Sequence, residues 1–159
     1  MDTTAIAALA PLDRLRELLN RGGDYLSLLG LRLLLAWEYG ESGVVKLRGE
    51  NWFHHIKEDF PFPFNVVSTD ISWFLATWSE LLGAVALAIG FATRLFGVSL
   101  IVLTLVAWYS VHAGHGYNVC DNGFKLPLMF LIMFIPLVLS GPGKLSIDHL
   151  LLKRMQSAR

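Results

Sequence analysis

Residues 108–127 read WYSVHAGHGYNVCDNGFKLP, and this stretch decides how the chain folds. It joins the end of one apolar segment to the start of the next through a short polar turn. His112 and His115 lie in it together with Cys120, the only cysteine of the chain. The sequence on either side is almost entirely apolar. We therefore interpret the stretch as the rim of a membrane-embedded site, with the neighbouring helices as its walls and floor.

The composition is that of a small integral membrane protein. The chain has 159 residues, of which 54% are hydrophobic and 16% are charged, and its mean hydropathy is +0.52. This length suits one domain. The composition favours a membrane protein over the alternative, a soluble helical protein with a very apolar core. The 13 basic residues balance 13 acidic ones, so the charge gives no support for a nucleic-acid partner.

Four segments have about the length that crosses a bilayer as a helix, roughly 20 residues. They are residues 25–47, 69–91, 95–113 and 124–141. Before them, residues 11–21 place leucines at helical spacing between charges, which is typical of a short amphipathic helix on a membrane surface. Gly22 and Gly23 are expected to end that helix. The predicted fold is an all-α membrane protein: an up-down-up-down bundle of four transmembrane helices, preceded by the amphipathic helix.

The distribution of basic residues orients this bundle. Eight of them fall in the N-terminal segment, the turn between the second and third spans, and the C-terminal tail, and four fall at the opposite ends of the spans: Lys46, Arg48, Lys57 and Lys125. Because basic residues collect on the cytoplasmic side, we expect both termini in the cytoplasm. The predicted organisation is a cytoplasmic N-terminus (1–24), a transmembrane domain (25–141) and a cytoplasmic tail (142–159). The loop 48–68 and the turn 114–123 then share the outer face.

Several charged residues fall inside the first two predicted spans. They are Arg32, Glu38, Glu41, Lys46 and Glu80. A charge at the bilayer centre costs roughly 2.5–3.5 kcal/mol on insertion scales, so these side chains must face other helices, pair, or lose their charge. They either surround a cavity that binds a proton or a ligand, or form buried ion pairs that hold the helices in register. The sequence leaves both readings open.

His112 and His115 lie three residues apart and can offer two imidazoles to one metal ion or to a haem. A zinc or copper site needs three or four ligands, and the candidates to complete it, if the outer loops fold together, are His54, His55, Cys120 and Asp121. Two alternatives stay open for the histidine pair. A neutral imidazole can bond a quinone carbonyl and relay its proton, or it can simply bond the backbone at a helix end. Cys120 is equally a candidate ligand, a reactive thiol or an ordinary residue.

The order and spacing of several short motifs resemble the DoxX family of small inner-membrane proteins, over about residues 28–148. The motifs are Leu31-Arg32-Leu33, Gly43-Val44-Val45-Lys46-Leu47, Asn51-Trp52-Phe53, Phe60-Pro61-Phe62-Pro63-Phe64, Glu80-Leu81-Leu82-Gly83, Gly90-Phe91-Ala92-Thr93-Arg94, and His112–Tyr117 with Cys120–Pro127. The chain looks similar to the subgroup found beside maturation genes for bufferin-type metal-binding peptides.

This resemblance implies a four-helix bundle in the bacterial inner membrane. Arg32, Lys46, Glu80 and His112 match the recurring polar positions of the family. A relative, the DoxD-type subunit of thiosulfate:quinone oxidoreductase, implies electron delivery to quinone. The lack of a second cysteine argues against a disulfide relay.

The first functional hypothesis is therefore a quinone-linked oxidoreductase or electron-transfer subunit. The quinone ring would be bounded by Trp37, Trp73 and Trp108, although tryptophan at membrane boundaries usually serves as an anchor. His112 or His115 would bond one carbonyl. Protons would move through Glu38, Glu41 and Glu80, and Arg32 and Lys46 would line the site. A partner oxidoreductase would deliver electrons at the outer loops.

Two alternatives come from other classes of protein. One is a non-enzymatic protein that handles copper or another transition metal for a periplasmic metal-binding peptide, with a ligand set drawn from His54, His55, His112, His115 and Cys120. The other is a scaffold for a membrane complex. Small residues in the second span permit close helix contact and are compatible with a homodimer.

Overall fold

Five α-helices make up most of the described part of the chain. The computed structural model describes the backbone of residues 3–157 and the side chains of residues 13–157. The helices are α1 (Thr3–Arg48), α2 (Thr69–Ile89), α3 (Thr93–Ala107), α4 (Lys125–Ser140) and α5 (Ile147–Ser157). A π-helical turn, Trp108–His112, continues α3, and short 3-10 turns lie at Phe53–Asp59 and Val119–Asp121. Residues 3–157 contain no β-strand, so the predicted all-α class is confirmed.

Helix α1 is longer than the sequence suggested. It runs without interruption for 46 residues, so the predicted end of a separate amphipathic helix at Gly22 and Gly23 is wrong. Glycine inside a helix costs about 1 kcal/mol relative to alanine, but it ends a helix only where the backbone turns left-handed. Neither glycine has a positive φ. The boundary predicted between residues 24 and 25 therefore falls inside one continuous helix.

The ends of α2 follow from local signals. Ser68 is the N-cap, and its side chain accepts a hydrogen bond from the backbone N–H of Ile71. Gly90 ends the helix in the left-handed conformation, with φ of +70°. The predicted span 69–91 therefore corresponds to Thr69–Ile89 in the structure. Residues Ile147–Ser157 of the predicted polar tail form α5.

The outward faces of the helices are apolar, as in a protein surrounded by lipid. Trp37 is 69% exposed, Leu95 70% and Leu139 72%. In water so much exposed apolar surface would mark an interaction site or an aggregation hazard. The segments Thr69–Ile89 and Thr93–His112 are long and apolar enough to cross a membrane. Helix α4 is also apolar but shorter, with 16 residues. These properties support a helical membrane protein.

Side chains from α1 to α4 meet in one apolar core. Its fully buried members are Leu35, Leu87, Leu100, Phe134 and Leu137. Because lipid tails are as apolar as these side chains, close packing must hold such helices together. Gly83 permits this approach, since a Cβ at this position would lie 2.9 Å from Leu100 Cδ1. The predicted role of small residues in helix contact therefore has a specific example here.

Helix α5 docks onto the turn between α2 and α3 through Asp148. The Asp148 carboxylate accepts hydrogen bonds from the backbone N–H groups of Ala92 (2.8 Å) and Thr93 (3.0 Å). The Asp148 N–H donates to the carbonyl oxygen of Gly90 at 3.0 Å. This capping closes the end of the bundle at which α4 also finishes.

Replacing Gly90 by alanine is expected to destabilise the fold by about 1–3 kcal/mol. The positive φ disfavours any residue with a Cβ. The added Cβ would also lie 2.5 Å from Ser146 Cβ and 2.6 Å from Arg32 Nη1. Thermal unfolding of the purified protein in detergent measures the effect.

Gly22→Ala is the matched control for this prediction. Gly22 lies within α1, and nothing within 4 Å would contact an added Cβ. This change is expected to leave the unfolding temperature unchanged or to raise it slightly, because alanine favours the helix. A Gly90→Ala protein as stable as Gly22→Ala would show that the α2–α3 turn does not need its left-handed residue.

Candidate functional site

The strongest candidate site is a buried ion pair between α1 and α2. Lys46 Nζ lies 2.9 Å from Glu80 Oε2 and 3.0 Å from Glu80 Oε1. Lys46 also donates to Ser42 Oγ at 2.8 Å, and Ser42 Oγ donates to Glu80 Oε1 at 3.2 Å. The Glu80 side chain is 4% exposed and that of Lys46 is 15% exposed. The three side chains form a closed ring of hydrogen bonds in which each ammonium hydrogen has an acceptor.

A glycine lets the two helices approach closely enough to form this ring. Gly43 of α1 faces α2, where an added Cβ would meet Leu81 Cγ at 2.9 Å and Glu80 Cβ at 3.2 Å. Ser42 and Lys46 lie four residues apart and so share a face of α1. The position of the pair is therefore set by a small residue at the helix contact and by helical spacing beside it.

A second polar contact lies deeper along α1. Tyr39 Oη is 2.5 Å from Thr104 Oγ1, and Thr104 Oγ1 donates to the carbonyl oxygen of Leu100 at 2.6 Å. Because the single hydroxyl hydrogen of Thr104 is directed to that carbonyl, Tyr39 is the donor in their contact. The Tyr39 ring packs against Phe130 and Phe134, with centroids 5.7 Å away in each case. This hydrogen bond links α1 to α3 inside the core.

Arg32 forms the third polar contact, at the end of the bundle closed by α5. Its side chain is almost fully buried, with 1% of the residue exposed. The guanidinium donates to the carbonyl oxygens of Leu87 (2.9 Å), Ala88 (3.3 Å) and Pro142 (2.6 Å). These carbonyls belong to the last turn of α2 and the segment after α4. Arg32 therefore joins three parts of the chain at one point.

These groups form a line along the inward face of α1. Arg32, Tyr39, Ser42 and Lys46 are separated by seven, three and four residues, which is the spacing of one helix face. At 1.5 Å per residue the line extends over about 20 Å, or about two-thirds of the hydrocarbon core of a bilayer. The line places polar chemistry inside a bundle whose outside is apolar.

His112 lies at the end of the π-helical turn and is half-buried. Its Nδ1 is 2.7 Å from the carbonyl oxygen of Asn122. A carbonyl oxygen only accepts, so Nδ1 carries the hydrogen, and Nε2 of the neutral ring has a free lone pair. The Asn122 side chain donates to the carbonyl oxygen of Val111 at 3.1 Å. Asn122 therefore fixes both the orientation and the tautomer of the imidazole.

Aromatic side chains cover the end of the bundle opposite α5 in two groups. In one, the Trp108 ring stacks on Phe124 with centroids 5.0 Å apart and planes 9° apart. In the other, the Trp73 ring lies edge-on to Trp52 and to Phe53, at 6.1 and 5.0 Å. Trp73 and Trp108 thus lie at the same end of the bundle, where α2 begins and α3 finishes. Trp37 is instead an outward-facing residue.

The remaining predicted carboxylates do not join the buried ring. Glu38 is half-buried and Glu41 is exposed. Among the side chains of residues 13–157, neither forms a salt bridge. Arg32 and the Lys46–Glu80 pair are buried in different parts of the bundle. Of the three predicted glutamates, Glu80 therefore pairs with a basic residue, whereas Glu38 and Glu41 lie outside that ion pair.

The proposed metal ligands are not brought together either. Within residues 13–157, no group of three or more His, Cys, Asp or Glu side chains could hold a metal ion. His54 bonds Thr69 Oγ1 at 2.7 Å, and its Nε2 lies 3.4 Å from Asp70 Oδ1. His55, His115 and Cys120 are exposed. His54 and His112 have separate partners, so within the described residues the loop 48–68 and the stretch 108–127 do not supply a common ligand set.

Sequence reasoning missed Ser42, Tyr39 and Asn122. The position of Ser42, four residues before Lys46, was a readable signal because such pairs meet on a helix face. Tyr39 carried a weaker signal, its place on the same face as Arg32 and Lys46. Asn122 could not be found, because its contacts with His112 depend on how the turn 113–124 folds.

The fold and this line of buried polar groups define a helical membrane protein with an ion pair inside its bundle. The DoxX family model matches residues 27–113 of the chain. The chain is also similar to an uncharacterized protein of Haemophilus influenzae, with 51% identity over 131 residues, which cover 82% of this chain and 87% of the relative. No solved structure matches significantly. The chain belongs to the DoxX family, and the predicted family is confirmed.

Proposed function

We propose that this DoxX-family protein spans the bacterial inner membrane several times and takes part in quinone-linked electron transfer. Segments of α1 and α2, α3 with its π-helical turn, and α4 cross the membrane in alternating directions, with both termini in the cytoplasm. The Lys46–Glu80 contact and the contact of Arg32 with the end of α2 support opposite directions for α1 and α2. The asymmetry of basic residues supports the orientation.

The single cysteine gives a direct test of this orientation. Cys120 is exposed in the turn between α3 and α4 and is expected on the outer face. A membrane-impermeant maleimide should therefore label it in spheroplasts without lysis. In the control variant Cys120→Ser/Ser157→Cys, labelling should occur only after lysis. The reverse pattern would place the termini outside.

The ring of Lys46, Glu80 and Ser42 is the observation that carries the proposed function. Two charges inside a membrane protein are costly to desolvate, and their attraction only partly offsets that cost. Passing a proton from the ammonium to the carboxylate would leave two neutral groups, which a medium of low dielectric tolerates better. A buried pair of this kind can therefore hold a proton that moves when a nearby charge changes.

His112 provides a second proton-handling group. With Nδ1 bonded to the Asn122 carbonyl, only Nε2 is free to bond a ligand. As an imidazolium it would donate Nε2–H to a quinone oxygen, and as a neutral imidazole it would accept from a quinol hydroxyl. The neighbouring pair of Trp108 and Phe124 offers a flat apolar surface for a planar ring.

Reduction of a quinone to a quinol consumes two electrons and two protons. In the proposed site, His112 transfers one proton through Nε2, and Glu80 releases the other. Lys46, which keeps partial exposure, restores the proton on Glu80 from water. The electrons come from a partner oxidoreductase that docks at the outer loops. The residues of this chain thus bind the ring and supply its protons.

Quinone binding can be tested on detergent-purified protein. The wild-type protein is expected to release quinone on organic extraction, and added decylubiquinone should quench its tryptophan fluorescence. His112→Ala should weaken decylubiquinone binding about tenfold, the effect of losing about 1.4 kcal/mol. Glu41→Gln changes an exposed carboxylate and should bind as the wild type does. No extracted quinone and no quenching in the wild type would overturn the proposal.

The role of Glu80 in proton transfer must be tested by a measurement that does not depend on the stability of the protein. Infrared difference spectra, recorded while the bound quinone is reduced electrochemically, should show a carboxyl band from Glu80. The band should disappear in Lys46→Met/Glu80→Met and persist in Glu41→Gln.

Elemental analysis of the same samples tests the alternative function, the handling of a metal. Bound copper that is lost in His115→Ala would favour metal handling instead.

A further inference from the structure

A groove of about 740 Å³ opens at the end of the bundle where α2 finishes and α3 begins. Its walls come from α1, the α2–α3 turn, the segment after α4, and α5. The apolar residues of its lining include Leu28, Leu95, Leu152 and Met155, and the cationic ones are Arg94 and Lys144. None of the residues that we assign to quinone or proton chemistry lies in this lining.

Within the part of the chain whose side chains are described, one cation at this groove has no anionic partner. Lys144 donates to Asp24 Oδ2, and this hydrogen bond raises the pKa of Lys144, so its charge persists but is matched. The Asp148 carboxylate is occupied by the backbone N–H groups described above. Arg94 donates Nη2 to the carbonyl oxygen of Leu139 at 3.2 Å. Among residues 13–157 it forms no salt bridge, so most of its five N–H donors are free.

The apolar lining continues onto the membrane-facing surface of the bundle. Leu95 lies in the groove beside Arg94, and Val98 and Val102 follow at intervals of three and four residues on the same face of α3. These three residues are 70%, 48% and 43% exposed. A hydrocarbon chain that begins in the groove can therefore follow α3 into the bilayer without crossing a polar group of that stripe.

We propose that the groove binds a phospholipid with an anionic headgroup. The lipid phosphate accepts hydrogen bonds from the Arg94 guanidinium, whose planar fork suits phosphate oxygens. One acyl chain lies along Leu95, Val98 and Val102, and Leu152 and Met155 of α5 cover the glycerol region. The unmatched charge distinguishes this site from a purely apolar contact with a second copy of the chain. The apolar lining distinguishes it from a site for a soluble anion.

This proposal depends on the membrane location of the protein and is independent of quinone chemistry. It is tested by native mass spectrometry of the detergent-purified protein, titrated with dioleoylphosphatidylglycerol or dioleoylphosphatidylcholine. The wild type should retain phosphatidylglycerol in preference to phosphatidylcholine. Arg94→Gln should weaken phosphatidylglycerol binding about tenfold, equivalent to about 1.4 kcal/mol. Arg94→Lys, which keeps the charge, should lose less.

Lys153→Gln is the matched control, because Lys153 is an exposed cation of α5 outside the groove lining. It should bind phosphatidylglycerol as the wild type does, and unfolding temperatures confirm that each variant is folded. Equal binding of the two lipids, or equal effects of Arg94→Gln and Lys153→Gln, would overturn the proposal. Displacement of the lipid by millimolar inorganic phosphate would show a site for free anions. Protein dimers that exclude lipid would assign the groove to a second copy.

Discussion

Glu80→Gln and Lys46→Met are each expected to lower the free energy of unfolding by about 3–5 kcal/mol. Either change leaves one charge inside the bundle without its partner. In Glu80→Gln the Lys46 ammonium remains, in a side chain that is 15% exposed, and the amide cannot match its charge. In Lys46→Met the carboxylate is left with Ser42 alone. Unfolding of the purified protein by increasing SDS in mixed micelles measures both effects.

The double variant Lys46→Met/Glu80→Met tests whether the ion pair is needed for the stability of the protein or only for its function. Replacing a buried ion pair by apolar residues of similar volume is often neutral or stabilising. We therefore expect it to regain most of the stability that each single change loses. Glu41→Gln alters a carboxylate outside the ring and should stay close to the wild type. A double variant that is less stable than both single variants would mean that the ring contributes net stability.

Arg32→Lys is expected to destabilise the protein by about 2–4 kcal/mol although it keeps the positive charge. The planar guanidinium donates to three carbonyl oxygens in different directions, and a single ammonium nitrogen cannot reproduce that fork. Each buried carbonyl left without a donor costs about 1–3 kcal/mol. Thermal unfolding in detergent measures the loss.

Arg48→Lys supplies the comparison for Arg32→Lys. Arg48 is the last residue of α1 and is exposed, so the same exchange there should change stability by less than about 0.5 kcal/mol. If the two variants unfold at the same temperature, the buried guanidinium does not hold α1 to the ends of α2 and α4. Proteolysis near α5 gives a second readout, because loss of the Pro142 contact should expose that segment to cleavage.

The helices could be predicted well where local signals coincide with apolar length. For α2, a serine N-cap, an apolar run and a following glycine all mark the same segment, and the structure agrees within two residues at its C-terminal end. The break expected at Gly22 failed because glycine permits a turn without requiring one. Whether a helix stops at such a residue depends on contacts beyond it, and no sequence pattern reports these.

The charged residues of the spans show the same limit for the site. Charged side chains inside apolar spans need partners, and the sequence left open whether they form ion pairs. Lys46 and Glu80 do form such a pair in the structure. Helical spacing could not predict that Lys46 would form its ion pair with Glu80 rather than with Glu38. That outcome depends on the close approach of α1 and α2 at Gly43, which sets the register between two helices that are 34 residues apart in sequence at the ion pair.

The sequence by itself determined the helical class, the membrane setting and the family. Composition, the length of the apolar segments and the order of the motifs can all be read along the chain, without knowing which segments contact each other. Only the tertiary structure decided which charges meet, which imidazole nitrogen is free and where a groove with an unmatched arginine opens. These features depend on distances between segments far apart in the chain. Such distances depend on how closely two helices pack. That closeness is set by the fit between two helix surfaces, which the sequence of either helix alone does not report.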